Sequence, residues 1–132
     1  MKDNHDERPG RAPASFSALG RLKSVSYALD GIGFMLRTQH NAWLHAVATF
    51  AVITLALLAD VSASDWRWLI AAMATVWVAE TINTAVEYVC DVVSPGYHEA
   101  VKRAKDIAAG GVLLAAVGAL AIGVLTFWPY LR

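Results

Sequence analysis

The sequence predicts an all-α membrane protein in which three transmembrane helices follow an N-terminal amphipathic surface helix. Three observations predict it. Of the 132 residues, 57% are hydrophobic and only 17% charged, with a mean hydropathy of +0.45, whereas a soluble domain carries about one quarter charged residues. The run from Ile107 to Trp128 contains no ionisable side chain. At ~1.5 Å per residue it is long enough to cross a hydrocarbon core of ~30 Å. Two polar breaks, Asp60 to Asp65 and Tyr97 to Asp106, mark off two further apolar stretches.

Taken in order, residues 1–18 form a polar tail, expected to be disordered. They contain Pro9, Gly10 and Pro13 and lack the apolar core of a signal peptide. Insertion is then left to the chain's own spans. The remainder, 19–132, reads as a single membrane domain. Its surface helix covers 19–37, where Leu22, Val25, Leu29, Ile32 and Leu36 recur at helical spacing with Arg21, Lys23 and Asp30 off the stripe. Such a helix suits the membrane interface, and Gly31 and Gly33 weaken it locally.

The first span is expected at about 41–59. It is short, so Trp43 and His45 are expected at the membrane edge. The second, about 66–93, opens on Trp66 and Trp68, which suit an interfacial belt, and is broken by Ser94-Pro95-Gly96. The third, about 107–128, ends at Trp128-Pro129-Tyr130. Within it Gly111, Ala115, Ala119 and Gly123 recur every fourth residue, a stripe that permits close helix contact.

Charge layout orients the chain. Nine lysines and arginines fall before the first span or between spans two and three, and only Arg67 and Arg132 fall on the other side. The N-terminus and second link are therefore expected in the cytoplasm and the C-terminus outside. One cysteine, Cys90, excludes an internal disulfide and a cysteine metal cluster. There is no P-loop motif, no zinc-protease motif and no readable Ser/His/Asp set, and no nucleic-acid partner is expected.

The second span carries the informative residues. At ~100° per residue, Glu80, Asn83, Thr84, Glu87 and Asp91 share about 100° of arc. Counted from Trp68, Glu80 lies ~18 Å along the helix, beyond the midplane, and Glu87 ~28 Å along, near the cytoplasmic edge. A carboxylate facing lipid at the centre of a span costs about 2.5–3.5 kcal/mol. Asn83 and Thr84 alone are explained by hydrogen bonds between helices, but three acids on one face repel one another. The face therefore reads as a site that binds cations or moves protons. Lys105 and Asp106 open the third span at the same level as Glu87 and Asp91, where Lys105 can neutralise a phosphate. Lys102 and Arg103 are explained by the positive-inside rule alone.

The segment Glu80-Thr81-Ile82-Asn83-Thr84-Ala85-Val86-Glu87, with Asp91, resembles the signature of the prokaryotic diacylglycerol kinase and undecaprenol kinase family. Tyr97-His98-Glu99 and Arg103-Ala104-Lys105-Asp106 also resemble it, and the likeness covers about Arg21 to Trp128. The resemblance implies ATP-dependent phosphoryl transfer to the hydroxyl of a membrane lipid, with Mg²⁺ and without a P-loop. It also implies a homotrimer whose active sites are shared between subunits. By position it makes Glu80 the general base and Glu87 a metal ligand that also serves the nucleotide site. Asn83 and Asp91 fall at polar active-site positions. Gly96, Tyr97 and His98 fall in the ATP-contacting stretch, Lys105 and Asp106 at the nucleotide-binding pair, and Tyr27 at an N-terminal residue near the nucleotide. Independently, three spans in one chain can hardly enclose such a site, so oligomerisation is expected.

One departure stands out. The family usually has a glutamate where this chain has Gln39, and that residue shares the metal site. An amide oxygen can ligate a hard cation but brings no charge. Either the metal is held more weakly, or another acid compensates, or activity differs. The segment Asn41 to His45 leans towards the undecaprenol branch. A second class of function is a non-enzymatic proton or cation conduit relayed by Glu80, Glu87 and Asp91. From Trp68 to Ala79, however, only Thr75 continues the polar path, so it would stop halfway.

Overall fold

The computed structural model describes residues 17–132. Four α-helices and a terminal 3-10 turn make up the described chain: α1 (Ala18–Thr38), α2 (His40–Leu58), α3 (Ala63–Val93), α4 (Glu99–Phe127) and the turn Trp128–Leu131. Three of the helices, α2, α3 and α4, are long and apolar enough to cross a bilayer. The expected disordered tail, residues 1–18, lies outside the described residues except for Ser17 and Ala18, where α1 begins.

The chain divides between Gly31 and Ile32 into two units. In the first, the described part is helical, and Leu19, Leu22, Val25, Tyr27 and Leu29 are exposed. The second unit, from Ile32 onwards, is organised around α3, which packs against both α2 and, more extensively, α4.

The elements follow from local chemistry. α2 begins after Gln39, whose extended backbone caps it without a side-chain bond. It ends in a tight turn at Ala59–Val61, where Asp60 takes a positive φ of 50°, a conformation that aspartate tolerates better than most side chains. Ser62 then caps α3. Its Oγ accepts from the Asp65 N–H at 3.2 Å and donates to Asp65 Oδ2 at 2.8 Å, a side-chain N-cap. α3 therefore starts three residues before the expected Trp66. Tyr130 reaches this turn from the far end of the chain. Its hydroxyl accepts from the Ser62 N–H at 2.9 Å and donates to Asp65 Oδ2 at 2.6 Å.

α3 ends at Ser94, as the Ser-Pro-Gly break predicts, because the ring of Pro95 pushes the preceding residue out of the helical region. The second link is shorter than expected. α4 starts at Glu99, because His98 caps it by accepting from the Ala100 N–H at Nδ1. Lys102, Arg103, Lys105 and Asp106 thus sit on helix rather than in a loop. Salt bridges from Arg103 to Glu99 and from Lys102 to Asp106, each one turn apart, line its exposed side.

The core joins α2 to the start of α3. Ala56, Val61 and Leu69 are buried, with Val52, Met73 and Phe127 against them. A Cβ added at Gly111 or Gly123 would meet nothing within 4 Å. Among the described residues, none approaches these two glycines closely.

Candidate active site on the third helix and the turn that follows it

The polar face of α3 is where burial is most anomalous. Glu80 is 1% exposed, and Asn83 and Thr84 are buried beside it, although α3 is mostly apolar. Their spacing of three and one residues puts them on one side of the helix. Three oxygens on this face, Glu80 Oε2, Asn83 Oδ1 and Thr84 Oγ1, are buried without a hydrogen-bond partner. Buried polar atoms are nearly always paired, so three orphans on one face single it out as a candidate functional site.

One turn further on, the face opens. Glu87 is half-buried, and its Oε1 accepts from Asn83 Nδ2 at 3.1 Å. Asp91 is exposed and joined across to α4, with Lys105 Nζ donating to its Oδ1 at 2.5 Å. Asp91 and Lys105 lie on the wall of a polar cavity of about 340 Å³, which Gly96, Tyr97, His98 and Asp106 also line. Tyr97 donates its hydroxyl to Glu99 at 2.6 Å, and this carboxylate holds the phenol above its ordinary pKa.

The structure thus gathers Asp91, Gly96, Tyr97, His98, Lys105 and Asp106 at one cavity, with Asn83 and Glu87 above it on the same face of α3 and Glu80 deeper still. Tyr27 lies in the first unit and is exposed. Gln39 is half-buried at the start of α2. Among the described residues no three histidine, cysteine, aspartate or glutamate side chains converge to hold an ion. Glu87 could supply one carboxylate to a magnesium ion that arrives with phosphate, since Mg²⁺ commonly takes one or two carboxylates and completes its shell with phosphate oxygens and water.

Sequence reasoning assigned His45 only to the membrane edge. In the structure it faces inward from α2, with Nε2 at 3.6 Å from Glu80 Oε2. Trp77 presents its ring to the imidazole edge-on, with centroids 6.3 Å apart, and donates Nε1–H to Thr49 Oγ1 at 3.0 Å. The signal was a histidine four residues before a threonine on one helix, facing a tryptophan three residues before a glutamate on another. It cannot be read until the register of α2 against α3 is known. His45 also stands on the wall of an apolar cavity of about 740 Å³ lined by Val52, Met73, Val76, Ala119 and Leu120.

This arrangement has relatives. The family described as prokaryotic diacylglycerol kinase matches residues 26–127, a span that takes in the whole polar face and the cavity below it. A diacylglycerol kinase of Synechocystis sp. is 39% identical over 124 residues, 93% of this chain and 71% of that protein. An undecaprenol kinase of Bacillus subtilis is 36% identical over 110 residues, 83% of this chain and 89% of that protein. A diacylglycerol kinase of Escherichia coli is 29% identical over 109 residues, with the same coverage of 83% and 89%. With residues 26–127 matched by the family and two relatives above 30% identity aligned over most of this chain, the chain belongs to the prokaryotic diacylglycerol kinase family.

Proposed function

We propose that this protein is an ATP-dependent lipid kinase of the bacterial inner membrane, transferring the terminal phosphoryl group of ATP to the hydroxyl of diacylglycerol or undecaprenol. The observation that carries this reading is the graded polar face of α3. A fully buried carboxylate, Glu80, sits about 10 Å along the helix from Glu87, and beyond Glu87 lies a polar cavity with Lys105 on its wall. A hydroxyl drawn from lipid meets a base at one end, and a phosphate drawn from water meets a cation at the other.

Phosphoryl transfer needs positioning, charge neutralisation and a base for the attacking hydroxyl. Glu80 takes the hydroxyl proton, and its burial keeps water from competing. Lys105 neutralises phosphate charge, with Asp91 holding its ammonium in place. Gly96, Tyr97, His98 and Asp106 shape the nucleotide side, and the family resemblance assigns Tyr27 to the nucleotide as well. Glu87, oriented by Asn83, would hold Mg²⁺ with the Gln39 amide as a neutral ligand. The bound ion would screen the charge on the phosphate oxygens. The apolar cavity beside His45 suits the hydrocarbon attached to the reacting hydroxyl.

A homotrimer completes the site. The open space beside Gly111 and Gly123 on α4 supports contact with neighbouring copies. The lysine and arginine layout supports a cytoplasmic site, with α1 lying in the cytoplasmic interface and the C-terminus outside.

The test is direct. Purified protein is supplied with labelled ATP, Mg²⁺ and either diacylglycerol or undecaprenol, and label in the lipid is measured. Transfer to one lipid supports the reading and names the substrate, and transfer to neither defeats it. A Glu80→Gln variant should still bind ATP but lose transfer.

A further inference from the structure

We propose that His45 is a positioning residue for Glu80: its Nε2–H fixes one carboxylate oxygen so that the other receives the proton of the acceptor hydroxyl. The inference rests on Glu80 acting as the base, and it adds a residue from a different helix to the reacting centre.

The geometry carries it. Glu80 is the most deeply buried ionisable side chain among the described residues, and its Oε2 has no hydrogen-bond partner. Leaving a carboxylate in that condition is costly unless something nearby donates to it. The polar atom placed to do so is His45 Nε2, at 3.6 Å. That is just beyond hydrogen-bond reach and too close to admit an intervening water. Catalytic contacts of this kind commonly shorten when substrate is seated.

The imidazole is not free to wander. Its side chain is 17% exposed, the Trp77 ring stands against it, and Trp77 is tied to α2 through Thr49. The hydrogen bond between Trp77 and Thr49 and the contact between His45 and Glu80 are successive rungs between the same two helices, so the first sets the register of the second. His45 also lines the apolar cavity. A hydroxyl brought along that cavity would arrive at the imidazole whose Nε2 stands 3.6 Å from Glu80. The hydroxyl proton passes to the free carboxylate oxygen as the hydroxyl oxygen bonds the γ-phosphorus of ATP, the bond from that phosphorus to the β-phosphate oxygen breaks and ADP leaves. A neutral imidazole with hydrogen on Nε2 suffices, and no charge change at His45 is required.

The experiment compares His45→Leu, His45→Gln, Glu80→Gln and the double variant His45→Leu/Glu80→Gln, purified as the full chain and assayed for transfer to the preferred lipid. His45→Leu should lower kcat about 10- to 100-fold, the worth of one hydrogen bond to a charged group, with KM for ATP unchanged. His45→Gln, which keeps an N–H donor, should recover most of that loss. In the Glu80→Gln background, His45→Leu should remove nothing further. Near-native kcat in His45→Leu, equal losses in the leucine and glutamine variants, or additive losses in the double variant would each overturn the proposal. Should the leucine variant fail to assemble, His45→Met takes its place, with a side chain of similar reach and no donor. The two readings fail separately. Full activity in Glu80→Gln sinks the assignment of the base, whereas an inactive Glu80→Gln beside a fully active His45→Leu sinks only the role of His45.

Discussion

Lys105 on α4 donates to Asp91 on α3 across the mouth of the polar cavity, Nζ to Oδ1 at 2.5 Å. The two residues are fourteen positions apart, on either side of the Ser-Pro-Gly break. Their contact pins the start of α4 to the end of α3. It also leaves a positive charge facing the cavity, with only one of the ammonium's three donors engaged by Asp91.

Lys105→Ala should therefore act mainly on the nucleotide. The pair is partly exposed, and pairs of that kind contribute about 0–1 kcal/mol to stability. Thermal unfolding should change little, while kcat/KM for ATP falls at least tenfold. Asp91→Asn should show a smaller loss of the same kind. Initial rates at varied ATP check both.

Asn83→Ala removes the amide that bonds Glu87. Groups that orient a metal ligand are worth roughly 10- to 100-fold in metal affinity or activity. The expected result is a rise of that order in the Mg²⁺ concentration giving half-maximal rate. Stability should suffer less, because the substitution also removes an unpartnered buried oxygen. A Mg²⁺ titration of both proteins reads the difference.

Gln39→Glu places a carboxylate where this chain has an amide. If Gln39 serves the ion held by Glu87, the added charge should lower the half-saturating Mg²⁺ concentration several-fold, since ligand charge governs affinity for hard cations. The same titration applies, with unchanged Mg²⁺ dependence counting against a metal role for position 39.

Tyr97 offers a pH test outside the spans. Its bond to the Glu99 carboxylate raises its pKa above the ordinary value of about 10. A group with a raised folded pKa contributes stability that is fully present below the unfolded pKa and is lost as pH rises through the folded one. Phenolate absorbance, taken as the difference from Tyr97→Phe, should develop above pH ~10. In Glu99→Gln it should return towards the ordinary value.

Ala56 is completely buried where α2 meets Leu69 of α3. Ala56→Leu should overpack that contact and cost ~1–3 kcal/mol, seen as a lower unfolding midpoint in detergent. Because the α2–α3 register also places His45 at Glu80, transfer should fall along with stability.

Much of this protein is written in periodicity. The lengths of the three apolar runs, the break at Ser94-Pro95-Gly96 and the shared face of Glu80, Asn83, Thr84, Glu87 and Asp91 all follow from a helix rise and a turn angle. These are local properties, and the structure shows the break at Ser94 and the burial of Glu80, Asn83 and Thr84 on one face where spacing puts them. The start of α4 was misjudged because Lys102 to Asp106 read as polar linker. Their charges are compatible with helix once His98 caps it and pairs one turn apart satisfy them.

What composition and spacing could not convey is which faces meet. A sequence shows that His45 is near one end of a span and Glu80 near the far end of another. It does not show that the antiparallel packing of α2 on α3 brings them to 3.6 Å. In the same way, Lys105 was placed at the right level but without a partner until α4 folded back onto Asp91. Local rules set the elements because each depends on a few neighbouring residues. The site waited on tertiary structure because register and facing are decided by side chains far apart in the chain, such as Thr49 with Trp77 and Ser62 with Tyr130.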